Sequence, residues 1–220
     1  MEYRVKDILL LTVLAGLLFF MGIWAYDLWP PDEPRFAQVA REMMQRGDFL
    51  SPYCNAEPYK EKPPLLFWAI SALSLPFGDA TNFSSRAVSG LAALATVLTT
   101  FFIALRLYGR KVALWSAIIL MTTGIFLWEA RSVRTDMLLT ACLTGAFYAF
   151  SRWHETPRPG WLVLLYGCLC AALFAKGPPA LVFVLLLIFV FYWKSPQERR
   201  RTHWVLGTLA ALGILMIWMI

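Results

Sequence analysis

The chain has 220 residues, of which 59% are hydrophobic and 15% are charged, whereas ordinary soluble domains carry about 25% charged residues. This composition excludes an ordinary water-soluble domain and indicates a membrane protein with several spans. The net charge of +6 is scattered between apolar runs and forms no single basic stripe, so a nucleic-acid partner is excluded as well.

Stretches without charge approach the length of a membrane span six times along the chain. They run from Ile8 to Tyr26, Ala87 to Leu105, Val112 to Trp128, Met137 to Ser151, Trp161 to Ala175 and Gly177 to Trp193. A seventh apolar run begins near Thr202 and continues to Ile220. The first stretch has no small-x-small cleavage site before Asp27, so we expect a retained membrane anchor. The pattern predicts an all-α protein with six to seven transmembrane helices.

One further uncharged stretch, Pro63 to Gly78, is shortened by its prolines. Its placement follows from the positive-inside rule, because Lys and Arg accumulate in cytoplasmic loops. If the stretch does not span, eleven basic and four acidic residues lie on the cytoplasmic side, and nine basic and ten acidic residues lie outside. We therefore predict an interfacial or re-entrant segment, a cytoplasmic N-terminus and a long first external loop, residues 27–86.

An amphipathic helix is predicted early in this loop. Its apolar positions recur with helical spacing at Phe36, Val39, Ala40, Met43 and Met44. Asp32 is the expected N-cap and Gly47 the expected stop signal. We expect this helix to lie along the membrane surface.

Charged residues are costly at membrane depth, so those near the external face are candidates for function. Four groups occur there: Asp32, Glu33 and Arg35; Lys60, Glu61 and Lys62; Glu129, Arg131, Arg134 and Asp136; and Lys176 before Gly177. Adjacent carboxylates suit a general base or a divalent cation, and basic side chains suit a lipid phosphate. Each group also has a structural explanation, namely helix capping, snorkelling or an ordinary solvated charge.

These groups carry a family resemblance. The runs Asp32 to Met43 and Tyr59 to Leu65, with Arg134-Thr135-Asp136 and Ala175 to Pro178, resemble membrane glycosyltransferases of the GT-C fold. Within that fold, the chain is most similar to the aminoarabinose lipid A transferase branch of the protein O-mannosyltransferase superfamily. The resemblance implies two helices lying on the membrane in the first external loop. It also implies transfer of a sugar from a polyprenyl-phosphate donor to a lipid A-like or protein acceptor at the periplasmic face of the inner membrane.

The resemblance also assigns roles to individual residues. The implied roles are catalytic for Asp32 and Asp136 and donor-phosphate binding for Lys62, Arg134 and Lys176. Glu33, Arg35 and Tyr59, which stand in the same runs, are our candidates for substrate contact. Glu61 matches a position near a divalent metal ion in some members, although a partner ligand from a later segment is missing here.

Relatives of this branch are longer and carry more spans, followed by a soluble periplasmic domain. We therefore expect residues 1–220 to be the N-terminal part of a GT-C transmembrane domain, without the C-terminal spans and the soluble domain. Two other functions remain open at this point. One is a non-catalytic membrane protein that binds or transports a polyprenyl-phosphate lipid, and the other is an inactive truncated remnant.

Overall fold

The computed structural model describes residues 2–177, together with 180, 182, 183, 186, 207, 213 and 216. The described helices are α1 Glu2–Phe20, α2 Asp32–Arg46, α3 Leu65–Ser74, α4 Asn82–Tyr108, α5 Arg110–Thr122, α6 Gly124–Ala130, α7 Thr135–Glu155 and α8 Pro159–Lys176. Strands β1 Tyr53–Cys54 and β2 Glu57–Pro58 form an antiparallel hairpin, and a 3-10 turn, Leu75–Phe77, follows α3. The predicted span to Trp193 and the run from Thr202 lie outside the described residues, apart from isolated positions.

The first five predicted spans coincide with helices, and two of them differ in detail. Among the described residues, α4 and α8 are long and apolar enough to cross a membrane, and α5 with α6 is a third candidate if the bent pair is one span. The axes of α5 and α6 meet at 68°, so the predicted single helix from Val112 to Trp128 is broken near Thr123. Helix α1 ends at Phe20, before the predicted end at Tyr26, because Gly22 turns the chain with a φ of 79°.

Small residues bring these helices together. Ala93 of α4 and Ala113 and Ala117 of α5 are fully buried in one core, and small side chains let helix backbones approach closely. Large apolar side chains point outward instead, including Val5, Leu9, Val13 and Leu17 on α1 and Trp115 and Ile119 on α5. An apolar exterior, with small residues at some of the helix contacts inside, is the arrangement expected of helices in lipid.

Ion pairs gather at one end of the bundle. Arg110 donates two hydrogen bonds to Asp7, at 2.7 and 2.8 Å, and Arg106 pairs with Glu155. The start of α1, the α4–α5 junction and the end of α7 therefore meet. These residues belong to the set that the charge balance places in the cytoplasm, and the direction of this end in the cell remains a prediction.

The predicted amphipathic helix is present as α2, and its apolar face packs against α3. Phe36, Val39, Ala40 and Met43 are buried with α3 residues, Met44 is half-buried, and Gly47 ends the helix with a φ of 65°. The N-cap prediction is wrong: the helix already includes Asp32, Pro31 holds the cap position, and no described side chain caps it. The Asp32 carboxylate instead receives a hydrogen bond from Arg134 at 3.1 Å. Helix α3 has ten residues, or about 15 Å, which is half the hydrocarbon thickness.

A buried ion pair joins the loop to the bundle. Arg86 of α4 is 0% exposed, and its guanidinium binds both carboxylate oxygens of Glu33, at 2.7 and 3.4 Å. It also donates to the backbone carbonyls of Ile23, Tyr26 and Asp27 at 2.7 to 2.8 Å. A guanidinium has five N–H donors, and here each has an acceptor.

Glu33 uses the same carboxylate to hold two further segments. It accepts hydrogen bonds from the amide of Trp29, before α2, and from the amide of Val133, before α7, both at 2.7 Å. One buried carboxylate thus connects α4 with the start of α2 and the turn preceding α7.

Removal of Arg86 should therefore destabilise the whole chain. Arg86→Met should lower the free energy of unfolding by about 3–5 kcal/mol, because Glu33 would remain buried without its partner. The measurement is detergent-solubilised unfolding, by heat or by SDS titration. Arg41→Met is the control, since Arg41 forms a more exposed pair with Asp79 and should cost about 1 kcal/mol or less.

The double variant Glu33→Leu/Arg86→Met sharpens this test. Apolar replacement of both partners of a buried ion pair is often neutral. Here we expect no recovery, because the carbonyls of Ile23, Tyr26 and Asp27 would lose their donor. A double variant as stable as the wild type would show that the bonds from Arg86 to these carbonyls do not stabilise the fold.

Candidate active site

All four predicted groups of charged residues contribute to one pocket of about 220 Å³. Its lining consists of Asp32, Phe36, Lys62, Arg134, Thr135, Asp136 and Lys176. These residues come from α2, from the loop before α3, from the start of α7 and from the end of α8. We term it the basic pocket. It contains all five residues for which the sequence predicts a catalytic or phosphate-binding role.

The charges of the basic pocket are partly neutralised by internal pairs. Asp32 accepts a hydrogen bond from Arg134 at 3.1 Å, and Asp136 pairs with Lys176. The half-buried Lys62 forms no hydrogen bond or ion pair with any residue in the described part of the chain. The pocket thus carries one positive charge in excess, and it belongs to Lys62.

The backbone of Arg134 is held by Ser89 of α4. The hydroxyl of Ser89 on α4 accepts a hydrogen bond from the amide of Arg134 at 3.2 Å and donates one to its carbonyl at 3.4 Å. The preceding residue, Val133, is held by Glu33. Because Glu33 directly follows Asp32, the same carboxylate sets Asp32 and Arg134 opposite each other.

Lys62 and Lys176 line the same pocket because α3 and α8 pack together. The rings of Trp68 and Phe174 stack with centroids 5.7 Å apart. Gly177 follows α8 with a φ of 66°, and a Cβ at this position would lie 3.4 Å from Cγ of Pro63. A glycine at 177 therefore allows both the turn after Lys176 and the contact with the residue after Lys62.

Arg35, Tyr59 and Glu61 form a separate cluster beside the pocket. Glu61 accepts hydrogen bonds from Arg35 at 2.9 Å and from the Tyr59 hydroxyl at 3.3 Å, and Arg35 lies 3.8 Å from Asp32. Burial and the negative charge of Glu61 raise the pKa of Tyr59 to about 12, so its phenol is neutral at physiological pH. Arg35 and Tyr59 do not line the basic pocket, and substrate contact by either remains a prediction.

The structure gives Glu33 a role other than the predicted substrate contact. Its two oxygens already accept from Arg86, Trp29 and Val133, and its side chain is 5% exposed. These bonds give Glu33 a structural role and leave its carboxylate little capacity for a substrate, and contact between Glu33 and a substrate remains a prediction.

The structure also bears on the structural explanations for Asp136, Arg131 and Lys176, namely helix capping, snorkelling and a helix end. Helix α7 begins at Thr135, no described side chain caps it, and Asp136 pairs with Lys176. Arg131 donates to the carbonyls of Leu18 and Met21 at the end of α1. Lys176 does end α8 before Gly177, as predicted.

A metal site is not supported by the described residues, among which no group of three or more His, Cys, Asp or Glu side chains could hold a metal ion. Glu61 is largely exposed and is bound by the guanidinium of Arg35. The guanidinium of Arg35 lies 2.9 Å from the Glu61 carboxylate, and its positive charge opposes binding of a cation there. We therefore derive no chemical step through a metal.

Sequence reasoning missed Arg86, Ser89 and Glu42. The sequence did carry a signal for Arg86. An arginine directly before the uncharged stretch from Ala87 is expected to have an acidic partner, and Asp32 and Glu33 are adjacent acids in the same loop. Ser89 carried no signal, since serines are common in membrane helices. Glu42 acts through a hairpin that lacks the usual Asn-Gly turn sequence.

Glu42 is the residue that closes this hairpin. It accepts hydrogen bonds from the amides of Asn55 at 2.6 Å and Ala56 at 3.1 Å, which have φ values of 56° and 67°. Left-handed backbone is unfavourable for alanine, so the charge-assisted bonds compensate for the missing glycine. Burial would raise the pKa of Glu42, but the hydrogen bonds from Gln38 and from these amides outweigh it and lower the pKa.

The fold is that of a known class of membrane enzymes. The crystal structure of ArnT from Cupriavidus metallidurans in the apo state has a TM-score of 0.85 and 23% identity, over 99% of this chain and 42% of that chain. ArnT bound to undecaprenyl phosphate gives 0.85 at 24% identity, over 96% and 40% of the two chains. The oligosaccharyltransferase AglB from Archaeoglobus fulgidus gives 0.71 at 12% identity, over 95% and 28%. The architecture is therefore the GT-C glycosyltransferase fold.

Sequence comparison gives the family. The dolichyl-phosphate-mannose-protein mannosyltransferase family matches residues 61–220, and the chain belongs to it. An uncharacterised protein of Aquifex aeolicus is 34% identical over 180 residues, which are 80% of this chain and 41% of the relative. The undecaprenyl phosphate-alpha-4-amino-4-deoxy-L-arabinose arabinosyl transferase of Shewanella sediminis is 31% identical over 215 residues, 92% of this chain and 38% of the relative. The predicted resemblance is confirmed, and the chain spans about two fifths of the length of these relatives.

The role of Glu42 predicts a pH dependence of the hairpin. Because its pKa is lowered in the folded chain, its stabilising effect is complete above its ordinary value of 4.5 and is lost as the pH falls through the folded pKa. Hydrogen-exchange protection factors of Asn55 and Ala56 should therefore decrease below about pH 4.5 in the wild type. Glu42→Gln should lower them by about tenfold or more at neutral pH and remove the pH dependence.

The matched control is Asp48→Asn. Asp48 also accepts two backbone amide bonds, from Leu50 and Ser51, and these bonds lower its pKa. Because it does not contact the hairpin turn, its replacement should leave the protection of Asn55 and Ala56 unchanged. The same loss in both variants would show that the effect on the turn is not specific to Glu42.

Proposed function

We propose that this chain is the N-terminal part of a glycosyltransferase that moves a sugar from a polyprenyl-phosphate donor to a lipid A-like or protein acceptor. The observation that carries the proposal is the basic pocket, where two carboxylates and three cationic side chains converge. Two relatives support the substrate class. One is named for transfer from undecaprenyl phosphate-linked aminoarabinose, and ArnT was crystallised with undecaprenyl phosphate.

The proposed arrangement in the membrane follows from the charge balance. Residues 1–220 would form six to seven transmembrane helices of a GT-C domain, with α2 and α3 of the loop 27–86 lying at the interface. The ion pairs Asp7–Arg110 and Arg106–Glu155 would face the cytoplasm. The basic pocket, at the external ends of the helices, would then open on the periplasmic side of the inner membrane.

The donor phosphate would bind at Lys62. This ammonium lacks an ionic partner in the described residues, and an unpaired charge in a half-buried pocket gains most from an anionic ligand. Arg134 and Lys176 flank the same space and would share the phosphate charge. Asp136 would orient Lys176 through their ion pair. This is the role that we propose for the acidic residue of Arg134-Thr135-Asp136.

The reaction would be a single displacement at the anomeric carbon. An acceptor oxygen attacks this carbon while its bond to the phosphate oxygen breaks, and the bonding electrons leave with the polyprenyl phosphate. Asp32 would accept the proton of the attacking hydroxyl or orient it. Lys62, Arg134 and Lys176 would stabilise the charge that develops on the departing phosphate.

Asp32→Asn tests the proton acceptor. We expect sugar transfer from radiolabelled polyprenyl-phosphate sugar in reconstituted membranes to fall by about 10²–10⁴, because an amide does not accept the proton. Binding of undecaprenyl phosphate should change much less. Asp27→Asn, at a nearby exposed position, is the control. Full transfer activity of Asp32→Asn would exclude Asp32 as the base.

Lys62→Met tests the phosphate contact and preserves much of the apolar stem of the side chain. We expect weaker binding of undecaprenyl phosphate and a transfer rate reduced by about 10²–10³. Lys60→Met is the matched control, since Lys60 lies two residues away, is exposed and is not part of the pocket lining. Equal effects of the two variants would point to general attraction of the anionic lipid instead of a specific contact.

The same assay separates the enzyme from a protein that only binds or transports the lipid carrier. A transporter would bind or move undecaprenyl phosphate in a Lys62-dependent manner without forming a glycosylated product. The described helices carry their ion pairs at their ends and not at mid-membrane, which favours the transferase.

A further inference from the structure

A second pocket of about 310 Å³ lies beside the basic pocket. Its lining consists of Tyr26, Trp29, Pro30, Pro31, Asp32, Glu33, Trp128, Arg131, Ser132 and Arg134. Asp32 and Arg134 line both pockets. Their ion pair therefore forms a shared wall, with Lys62 and Lys176 on one side and an aromatic surface on the other. We term the second space the aromatic pocket.

The aromatic side chains of this pocket are unusually accessible. Trp29 is 75% exposed, Trp128 is 50% exposed and Tyr26 is 44% exposed. Two of the rings are held by cations, since the guanidinium of Arg134 lies 4.9 Å from the Trp128 ring centroid and that of Arg86 lies 3.9 Å from the Tyr26 ring centroid. Aromatic side chains that remain open suit a ligand with a flat apolar face and polar edges, and a sugar ring has that character.

Guanidinium groups supply the polar contacts. Arg131 donates one bond to each of the carbonyls of Leu18 and Met21, at 2.6 and 3.0 Å, which leaves N–H donors of its fork available within the described part of the chain. The guanidinium of Arg134 donates to Asp32 through Nη1, and its side chain is 31% exposed, so it also keeps N–H donors for a ligand within the described part of the chain. Arginine binds phosphate oxygens with paired N–H groups. The acids of the pocket do not oppose this, because Glu33 is saturated and Asp32 is paired.

We propose that the aromatic pocket holds the sugar-phosphate headgroup of the acceptor, a phosphorylated glycolipid. This inference rests on the proposed transferase function and assigns the acceptor to a separate site. Trp29, Trp128 and Tyr26 contact the sugar ring, and Arg131 with Arg134 contacts the phosphate. The accepting oxygen then lies at the shared wall, within reach of Asp32, while the donor phosphate occupies the basic pocket.

The charge distribution assigns the two ligands to different pockets. The basic pocket contains the cation without an internal partner, Lys62, but Phe36 is its one aromatic residue. A polyprenyl phosphate requires a strong phosphate contact and binds the protein otherwise through its apolar chain. The aromatic pocket has three aromatic side chains and only partly occupied guanidinium groups, which fits a ligand recognised by its sugar ring as well as its phosphate.

The experiment measures binding, so it does not depend on catalysis. The chain is placed in nanodiscs of neutral lipid and titrated with glucosamine 1-phosphate as the soluble probe, and separately with undecaprenyl phosphate. Trp29→Ala should weaken binding of the sugar phosphate by about fivefold to tenfold and leave undecaprenyl phosphate within twofold. Lys62→Met should do the reverse. Glucosamine 1-phosphate should still bind when undecaprenyl phosphate is saturating, although more weakly, because both phosphates contact Arg134.

Two controls keep the result specific. Trp24→Ala removes another exposed tryptophan that does not line the pocket, and it should affect neither ligand. Glucosamine alone and inorganic phosphate alone should each bind at least tenfold more weakly than glucosamine 1-phosphate. Trp29→Ala is expected to fold normally, because its side chain is mostly outside the protein.

Several outcomes would overturn the inference. If Trp29→Ala weakened both ligands, the aromatic pocket would belong to the donor site. If only Lys62→Met weakened the sugar phosphate, both ligands would share the basic pocket. Independent binding of the two ligands with no sugar transfer in any assay would count against the proposed function while leaving the two separate sites intact.

Discussion

The buried pair of Glu33 and Arg86 determines the geometry of the candidate site. Neither residue touches the basic pocket through its charged group, yet Glu33 is bonded to Arg86, to the amide of Trp29 and to the amide of Val133. The sequence neighbours of this network, Asp32 before Glu33 and Arg134 after Val133, are therefore opposed across about 3 Å. Buried charge pairs often add little net stability compared with apolar residues, but this one also supplies donors to three backbone carbonyls. Its value here is positional, because it places three chain segments that are far apart in sequence.

The remaining charges of the site can be understood from this placement. Once Asp32 is paired with Arg134 and Asp136 with Lys176, a phosphate has one strong attraction left, at Lys62. Paired cations still contribute, since a phosphate oxygen can share N–H donors with a carboxylate. The internal pairs also reduce the cost of holding several like charges in a small space before a ligand arrives.

Much of this organisation could be predicted from the sequence, and the failures have physical causes. Spans and the amphipathic helix follow from hydrophobic periodicity, which depends on nearby residues, and the clustering of Asp32, Lys62, Arg134, Asp136 and Lys176 follows from the family motifs. The role of Glu33 could not be predicted, because adjacent carboxylates look equivalent until a distant arginine selects one of them. The break near Thr123 was missed for a similar reason: an uninterrupted apolar run carries no local signal of a bend. The hairpin was missed because its turn depends on Glu42, which is outside the turn.

The two pockets and their common wall bear on the stereochemistry of the proposed reaction. A donor whose phosphate lies near Lys62 would bring its anomeric carbon toward the Asp32–Arg134 pair, with the breaking bond directed into the basic pocket. An acceptor in the aromatic pocket would approach the same carbon from the other side of that wall. Attack opposite to the leaving group is the geometry of a single displacement, and it inverts the anomeric configuration.

A double displacement with retention would instead need a nucleophilic carboxylate on the face opposite the leaving group, and Asp32 would have to serve in that position. Its two guanidinium neighbours, Arg134 at 3.1 Å and Arg35 at 3.8 Å, lower the nucleophilicity of its oxygens by stabilising their charge. The same neighbours leave Asp32 able to orient a hydroxyl, so the arrangement favours inversion with Asp32 acting on the acceptor.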